Sequence, residues 1–334
     1  MTISERQIYY RLIALWVIIE AMMGGLIHTF KLPITGLILG GSAIIVIALI
    51  AHLVPHKGAI LRATLIVAIF KMMMSPQAPP PAYIAVFFQG FLGELLFINK
   101  RFFRIACMLL AILTLLESAV QRVFVLTILM GEDLWKAINI FISGITGQDP
   151  TTNYSLYIVT AYILLHFIAG ILIGRFMGNI PQLLITLERD KSSFKLLPLT
   201  EADRNPEYKK RKGGLNLILV LWIILIVLYT QSVLVPGDPW MSKQMAVQFL
   251  VRSILILITW IYILAPVLLY FLKKLLEKQK TIYKKDIEEI LLLLPSTKEL
   301  FRRCWRTSGV KNGLGRLRLF WRLLFVNGII HNES

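Results

Sequence analysis

Residues 100–131 read KRFFRIACMLLAILTLLESAVQRVFVLTILMG, in which the cations Lys100, Arg101 and Arg104 crowd one end of an apolar run long enough to cross a bilayer. A helical span needs roughly 20 apolar residues to cover about 30 Å of hydrocarbon, and the same pairing of apolar run and one-sided charge recurs along the chain. Spans are expected near residues 8–27, 33–53, 59–74, 81–98, 103–131, 153–177, 214–235 and 244–272, the third being the poorest because it carries Arg62 and Lys71. With the amino terminus placed in the cytoplasm, the inward segments hold Arg6 and Arg11, then Lys57 and Arg62, then Lys100, Arg101 and Arg104, then the crowded 175–213 stretch and the tail after 272. The outward segments hold little beyond Lys31, Lys136 and Lys243. Cations retained on one side set orientation. The expected fold is therefore all-α: a polytopic transmembrane helical bundle of about eight spans, N and C termini cytoplasmic, ending in basic amphipathic helices. A hydrophobic content of 57% and a mean hydropathy of +0.70 exceed what an ordinary soluble core holds.

The formal charge of +17 invites a nucleic-acid reading. Here, however, the cations lie beside spans, where they fix orientation and meet anionic lipid headgroups. Anionic lipids, and no nucleic acid, are the expected partners. Cys107 falls in a span and Cys304 in the tail, far apart and without metal-ligand spacing, so neither a zinc site nor a disulfide framework is expected. Met1 to Arg11 lead into an apolar run with no small-residue cleavage site, which reads as a retained first helix. Helical rather than barrel spans fit a cell inner (plasma) membrane, crossed several times.

Charge divides the chain into a six-span block at 1–178, a basic cytoplasmic linker at 179–213, a two-span segment at 214–272 and a basic amphipathic tail at 273–334. Apolar runs such as Ile287 to Leu294 and Leu317 to Val326 recur in the tail, predicting amphipathic helices that lie in the inner interface or dock a cytoplasmic partner. Ser296 with Glu299 fits a capping box and predicts a helix start after Pro295. Ser308-Gly309 and Asn312-Gly313 predict a break before a further basic helix.

An ionisable residue at the centre of a span costs about 2.5–3.5 kcal/mol, so each is a functional candidate. Glu20, Lys71, Glu94, Glu117, Arg122 and His166 all fall in the first block and are expected to line a polar cavity. Glu117 and Arg122, five apart on one helix, are poorly spaced to pair with each other. Pro76, Pro79, Pro80 and Pro81 predict an extended, non-helical loop. It reads as a stiff outward lid over a pocket floored by Lys71, Gln89 and Glu94. Gly36 with Gly40, Ala59 with Ala63, and Gly170, Gly174 and Gly178 lie at one-turn spacing and predict close helix contacts within the chain. No G-x-x-x-x-G-K-[ST] loop, H-E-x-x-H or G-x-S-x-G is present, and every aspartate lies outside the spans. Neither an enzyme nor a bound cofactor or metal is expected.

Six spans with both ends inside, the glycines Gly24-Gly25 and Gly36 to Gly41, the Ala59/Ala63 pair and an outward loop before a polar helix resemble the substrate-binding membrane subunit of energy-coupling-factor (ECF-type) vitamin transporters. The C-terminal part is weakly similar to the coupling subunit of those transporters, although Arg306-Thr-Ser-Gly309 and Gly315-Arg316 depart from its Ala-Arg-Gly signature. The resemblance implies cytoplasmic ATPase subunits and a membrane coupling subunit as partners. The expected function is an integral membrane substrate-binding or transport component for a small organic solute, energised by a partner ATPase. Glu20, Lys71, Gln89, Glu94, Glu117, Arg122 and His166 would form its site. A cation-coupled secondary transporter and a non-transporting membrane scaffold are the alternatives.

Overall fold

The computed structural model describes residues 3–23, 35–54, 56–75, 78–147, 152–194 and 196, scattered positions between 223 and 259, and residues 260–330. Most of the span expected near 214–235 and residues 197–213 of the basic linker lie outside the described residues. Every regular element among the described residues is helical. Helix α1 (Ile3–Val17) runs on into a π-helical turn, Ile18–Met23. It is followed by α2 (Thr35–Leu53), α3 (Ala59–Met74), α4 (Pro80–Leu96), α5 (Phe103–Met130), α6 (Glu132–Thr146), α7 (Tyr154–Gly178) and α8 (Ile180–Arg189). The C-terminal part contains α9 (Ala265–Ile282), α10 (Lys284–Thr307) and α11 (Gly313–Phe325).

Among the described residues, four helical stretches are long and apolar enough to cross a membrane: Thr35–Leu53, Phe103–Ile128, Tyr154–Gly178 and Ile254–Ile282. Helices α3 and α4, with 16 and 17 residues, extend only about 24–26 Å at 1.5 Å per residue. They form an antiparallel hairpin inside the bundle. Residues Ala63, Ile66, Val67, Ala68, Ile69 and Phe70 of α3 are fully buried, so the middle of the poorest expected span lies in the core. The outer surface is apolar. Leu164, Leu165, Ile168 and Leu172 of α7 and Ile105, Leu109, Val120 and Phe124 of α5 are exposed, an arrangement suited to hydrocarbon rather than to water.

Two local expectations give way to helix. Pro80 and Pro81 do not extend the loop; they occupy the first turn of α4, with Pro79 extended before them. The first turn needs no amide hydrogen, and the fixed φ of proline suits it. Likewise α10 does not start after Pro295 but runs through it. The hydroxyls of Ser296 and Thr297 donate to the Leu293 carbonyl at 3.0 and 2.7 Å, bonding back into the helix instead of capping a new one. The break at Ser308 to Gly313 is present, with Gly313 at φ 56° in the left-handed region.

Helices α5 and α7 share the most extensive contact among the described residues. A Cβ on Gly170 would lie 2.8 Å from Ile112 Cα, and one on Gly174 2.7 Å from Met108 Cα. Gly178 faces Arg104, so the stripe is one continuous antiparallel seam. Gly36 abuts Ser118, and Gly40 lies against Leu115 and Thr114, seating α2 on α5 in the same way. In the tail, Cys304 is fully buried and burial pushes its thiol up to about 12.

Gly174→Ala must push two backbones apart. It is expected to lower the melting temperature of the purified protein by an amount corresponding to about 1–3 kcal/mol. Gly315→Ala, whose added Cβ would make only ordinary contact with Lys311 at 3.8 Å, is expected to leave the melt unchanged. Cys304 in the folded chain is expected to alkylate with iodoacetamide far more slowly than a free thiol at about pH 8.5, the ordinary thiol pKa. Unfolding should abolish that protection.

Candidate functional site

Polar groups converge at the two opposite ends of α3. At its amino-terminal end, Arg62 grips Asp286 of α10: Nη2 donates to Oδ1 and Oδ2 at 2.7 and 2.6 Å, and Nε to Oδ2 at 3.0 Å. The Tyr10 hydroxyl donates to the same carboxylate at 2.8 Å, and Arg6 Nη2 reaches Glu289 at 2.7 Å. The Arg62 guanidinium also sits over the Tyr283 ring at 5.6 Å. Asp286 is 5% exposed. Forked guanidinium hydrogen bonds to a mostly buried carboxylate fix geometry as well as charge. The tail is thus held against α1 and α3.

At the other end of α3, Lys71 Nζ donates to Glu20 Oε2 at 2.8 Å and to the Ala82 carbonyl at 3.1 Å, with the Tyr83 ring 5.9 Å away. Both charged side chains are 3% exposed. Glu20 is carried by the π-helical turn that ends α1, a geometry frequent at functional sites. Ser75 donates to the Ala21 carbonyl at 2.7 Å and ties that turn to the end of α3. Beside this pair lies a cavity of about 320 Å³, bounded by the start of α2, the end of α3, the start of α4, the middle of α5, Tyr162 of α7 and Trp260.

Of the seven residues singled out in the sequence, Glu20, Lys71, Gln89 and Arg122 line this cavity. Gln89 is 3% exposed, and its Oε1 has no hydrogen-bond partner among the described residues. Glu94 lies at the opposite end of the bundle. It accepts the amides of Gly58, Ile60 and Leu61 at 2.6, 3.2 and 3.4 Å, and so caps α3. A carboxylate there satisfies orphan amides and complements the helix dipole. Glu117 and His166 do not line the cavity. Glu117 Oε2 is buried without a partner among the described residues. His166 is buried within α7, where the Tyr162 carbonyl can only accept, so Nδ1 donates to it at 2.9 Å. Its ring lies 4.4 Å from that of Tyr162 and supports it from behind.

Other lining residues escaped the sequence reading. Ser118, Gln121 and Val125 line the cavity together with Arg122 at spacings of one helical face, a pattern that was available. The displacement of Glu94 was available too. The α3–α4 hairpin brings Lys71 to Ala82, Thr64 to Gly90 and Ile60 to Glu94, and a constant residue-number sum of 153–154 follows from folding about the short connection. No protein-family model, no curated protein and no solved structure matches the chain. Fold and site therefore define the class: an all-helical protein with membrane-length helices and a polar cavity at one end of its bundle.

Breaking a buried ion pair by removing one partner costs about 3–5 kcal/mol, whereas replacing both by apolar side chains is often neutral. Lys71→Met is expected to cost that much in thermal unfolding. Lys71→Met combined with Glu20→Leu is expected to recover most of the loss. Equal destabilisation by the single and double variants would show that the pair contributes nothing as a unit.

Proposed function

We propose that the chain is a multi-pass inner-membrane protein that binds a small organic solute in the Lys71 cavity and delivers it with the help of a cytoplasmic ATPase. The observation that carries this reading is the cavity itself: a buried, neutralised ion pair and a buried carboxamide oxygen without a partner, in a space of about 320 Å³ and within the range of small-molecule sites. The exposed apolar side chains fit a lipid surround. The charge asymmetry of the loops supports placing the Arg62 end, with both termini, on the cytoplasmic side, and the cavity toward the outside.

The tail supports a partner on the cytoplasmic face. Between α10 and α11 the turn exposes Val310 and Leu314 at 87% and 83% among Arg306, Lys311 and Arg318, a mixed apolar and basic tip. Its base is bound to α3 through Asp286, and α3 carries Lys71 of the cavity. This linkage favours a role like that of the ECF-type substrate-binding subunit, with the tail taking part in coupling.

Purification from native membranes in mild detergent, with mass spectrometry of co-purifying polypeptides and small molecules, tests the reading. A P-loop ATPase and a bound solute are expected. Asp286→Ala is expected to retain solute binding and to lose uptake or ATPase recovery, because the tail is released while the cavity is untouched. Uptake that survives ATP depletion and follows pH would replace the ATPase with an ion gradient. Envelope-assembly proteins alone, with Lys71→Ala functionally silent at normal abundance, would replace transport with scaffolding.

A further inference from the structure

We infer that the groove where α5 begins and α7 ends is a binding site for an anionic glycerophospholipid of the surrounding bilayer. The inference rests on the membrane placement proposed above and not on the solute cavity, with which the groove shares no lining residue. The groove, of about 500 Å³, is bounded on one side by residues 101–105 and on the other by Gly178, Pro181 and Gln182. It sits at the shared end of two helices long and apolar enough to cross a membrane, α5 starting at Phe103 and α7 stopping at Gly178. Lipid headgroups lie at that level, just beyond the roughly 30 Å of hydrocarbon such helices span.

Arg101 and Arg104 are the charged residues lining the groove. Both are exposed, and neither guanidinium makes a hydrogen bond or an ion pair among the described residues. The carboxylate nearest to them in sequence, Glu94, is spent on the amides of Gly58, Ile60 and Leu61. Two cations therefore share one groove without a counter-charge. The fold holds their stems in place. The Arg101 amide donates to Asn99 Oδ1 at 3.1 Å, and a Cβ on Gly178 would lie 3.4 Å from Cα, Cβ and Cγ of Arg104, so bare glycine lets α7 close on that stem. Phe103, between the two arginines, is anchored to the body of the bundle by the rings of Phe97 and His52 at 5.3 and 5.6 Å.

The apolar part of the groove says which anion fits. Phe102 and Ile105 are 53% and 57% exposed, and exposed apolar side chains continue along both helices away from the groove, Leu109 on α5 and Leu172 and Ile168 on α7. A guanidinium fork matches phosphate oxygens in geometry as well as charge, and basic pockets between spans hold anionic headgroups. The adjoining apolar tracks match acyl chains. A free phosphate or a nucleic acid would meet the cations and leave those apolar side chains in water.

The test reconstitutes the full chain in nanodiscs of dioleoylphosphatidylglycerol and dioleoylphosphatidylcholine in equal amounts and counts the lipids it retains by native mass spectrometry. Phosphatidylglycerol is expected to be retained over phosphatidylcholine by about tenfold or more, each arginine near an anionic headgroup contributing about fivefold. Arg101→Gln combined with Arg104→Gln is expected to remove that preference. Lys311→Gln combined with Arg318→Gln, an equal loss of exposed charge in the tail, is expected to leave it intact. A phosphatidylglycerol carrying a photoactivatable diazirine in its headgroup is expected to label peptides spanning 101–105 and 178–182, a readout that stands even where a variant fails to fold. Equal retention of the two lipids, the same loss from either pair of substitutions, or labelling confined to other peptides would overturn the inference. Displacement of the lipid by glycerol phosphate at matched concentration would overturn it in favour of a free-phosphate site. A chain that stays soluble and retains no lipid at all would overturn the membrane placement as well.

Discussion

A helix with a cation near each end can occupy the middle of an apolar bundle only when both charges are neutralised by other parts of the chain. Helix α3 meets that condition twice. Lys71 is matched by Glu20 from the π-helical turn after α1, and Arg62 by Asp286 from α10. Between them lie the eight residues Ala63 to Phe70, all buried except the partly exposed Leu65, so the two cations stand about 13 Å apart along the helix axis. Desolvation makes such charges costly wherever they are left alone, so the positions of α1, α10 and the cavity all follow from where α3 places its two cations.

The two ends use the same ingredients for different purposes. At the Arg62 end the polar groups are saturated: Asp286 accepts from Arg62 and Tyr10, and Glu94 accepts three backbone amides. Saturation there gives a rigid joint between the tail and the bundle. At the Lys71 end the ion pair is complete, yet the buried Gln89 Oε1 beside the cavity has no hydrogen-bond partner among the described residues. In a low-dielectric setting an unused polar atom is an energetic defect unless something else fills it. That difference marks one end as structural and the other as receptive.

Much of this was legible in the residues. Long, predominantly apolar runs at 33–53, 103–131 and 153–177 correspond to α2, α5 and α7, because hydrophobicity sustained over that length leaves a chain few alternatives. The glycine spacings correctly indicated contacts within the chain. What escaped the sequence was long-range partnering. Nothing local to Arg62 announces Asp286, 224 positions away, and the polar composition of the tail argued for a surface rather than for a clamp. Prolines misled in both places for one reason: proline forbids a helix interior far more strongly than a helix beginning, and Pro80 and Pro81 stand at a beginning. Pro295 is accommodated within α10 with hydroxyls donating to the Leu293 carbonyl beside it. Glu94 was drawn to the cavity because it follows Gln89 closely in sequence, whereas one and a half turns of α4 separate them in space.

The bare stripe on α7 has a bearing on biosynthesis. Because Gly170, Gly174 and Gly178 offer no side chains to the seam, α7 can approach α5 as a smooth surface, and shape alone does not prevent it from slipping by a turn. Leu164, Leu165, Ile168 and Leu172 face away from the seam. Correct registration then falls to the margin of the stripe, where Gly178 meets Arg104. Since α5 emerges from the ribosome first, the later helix arrives at a neighbour already in place, and the chain can complete its seam in the order in which it is made.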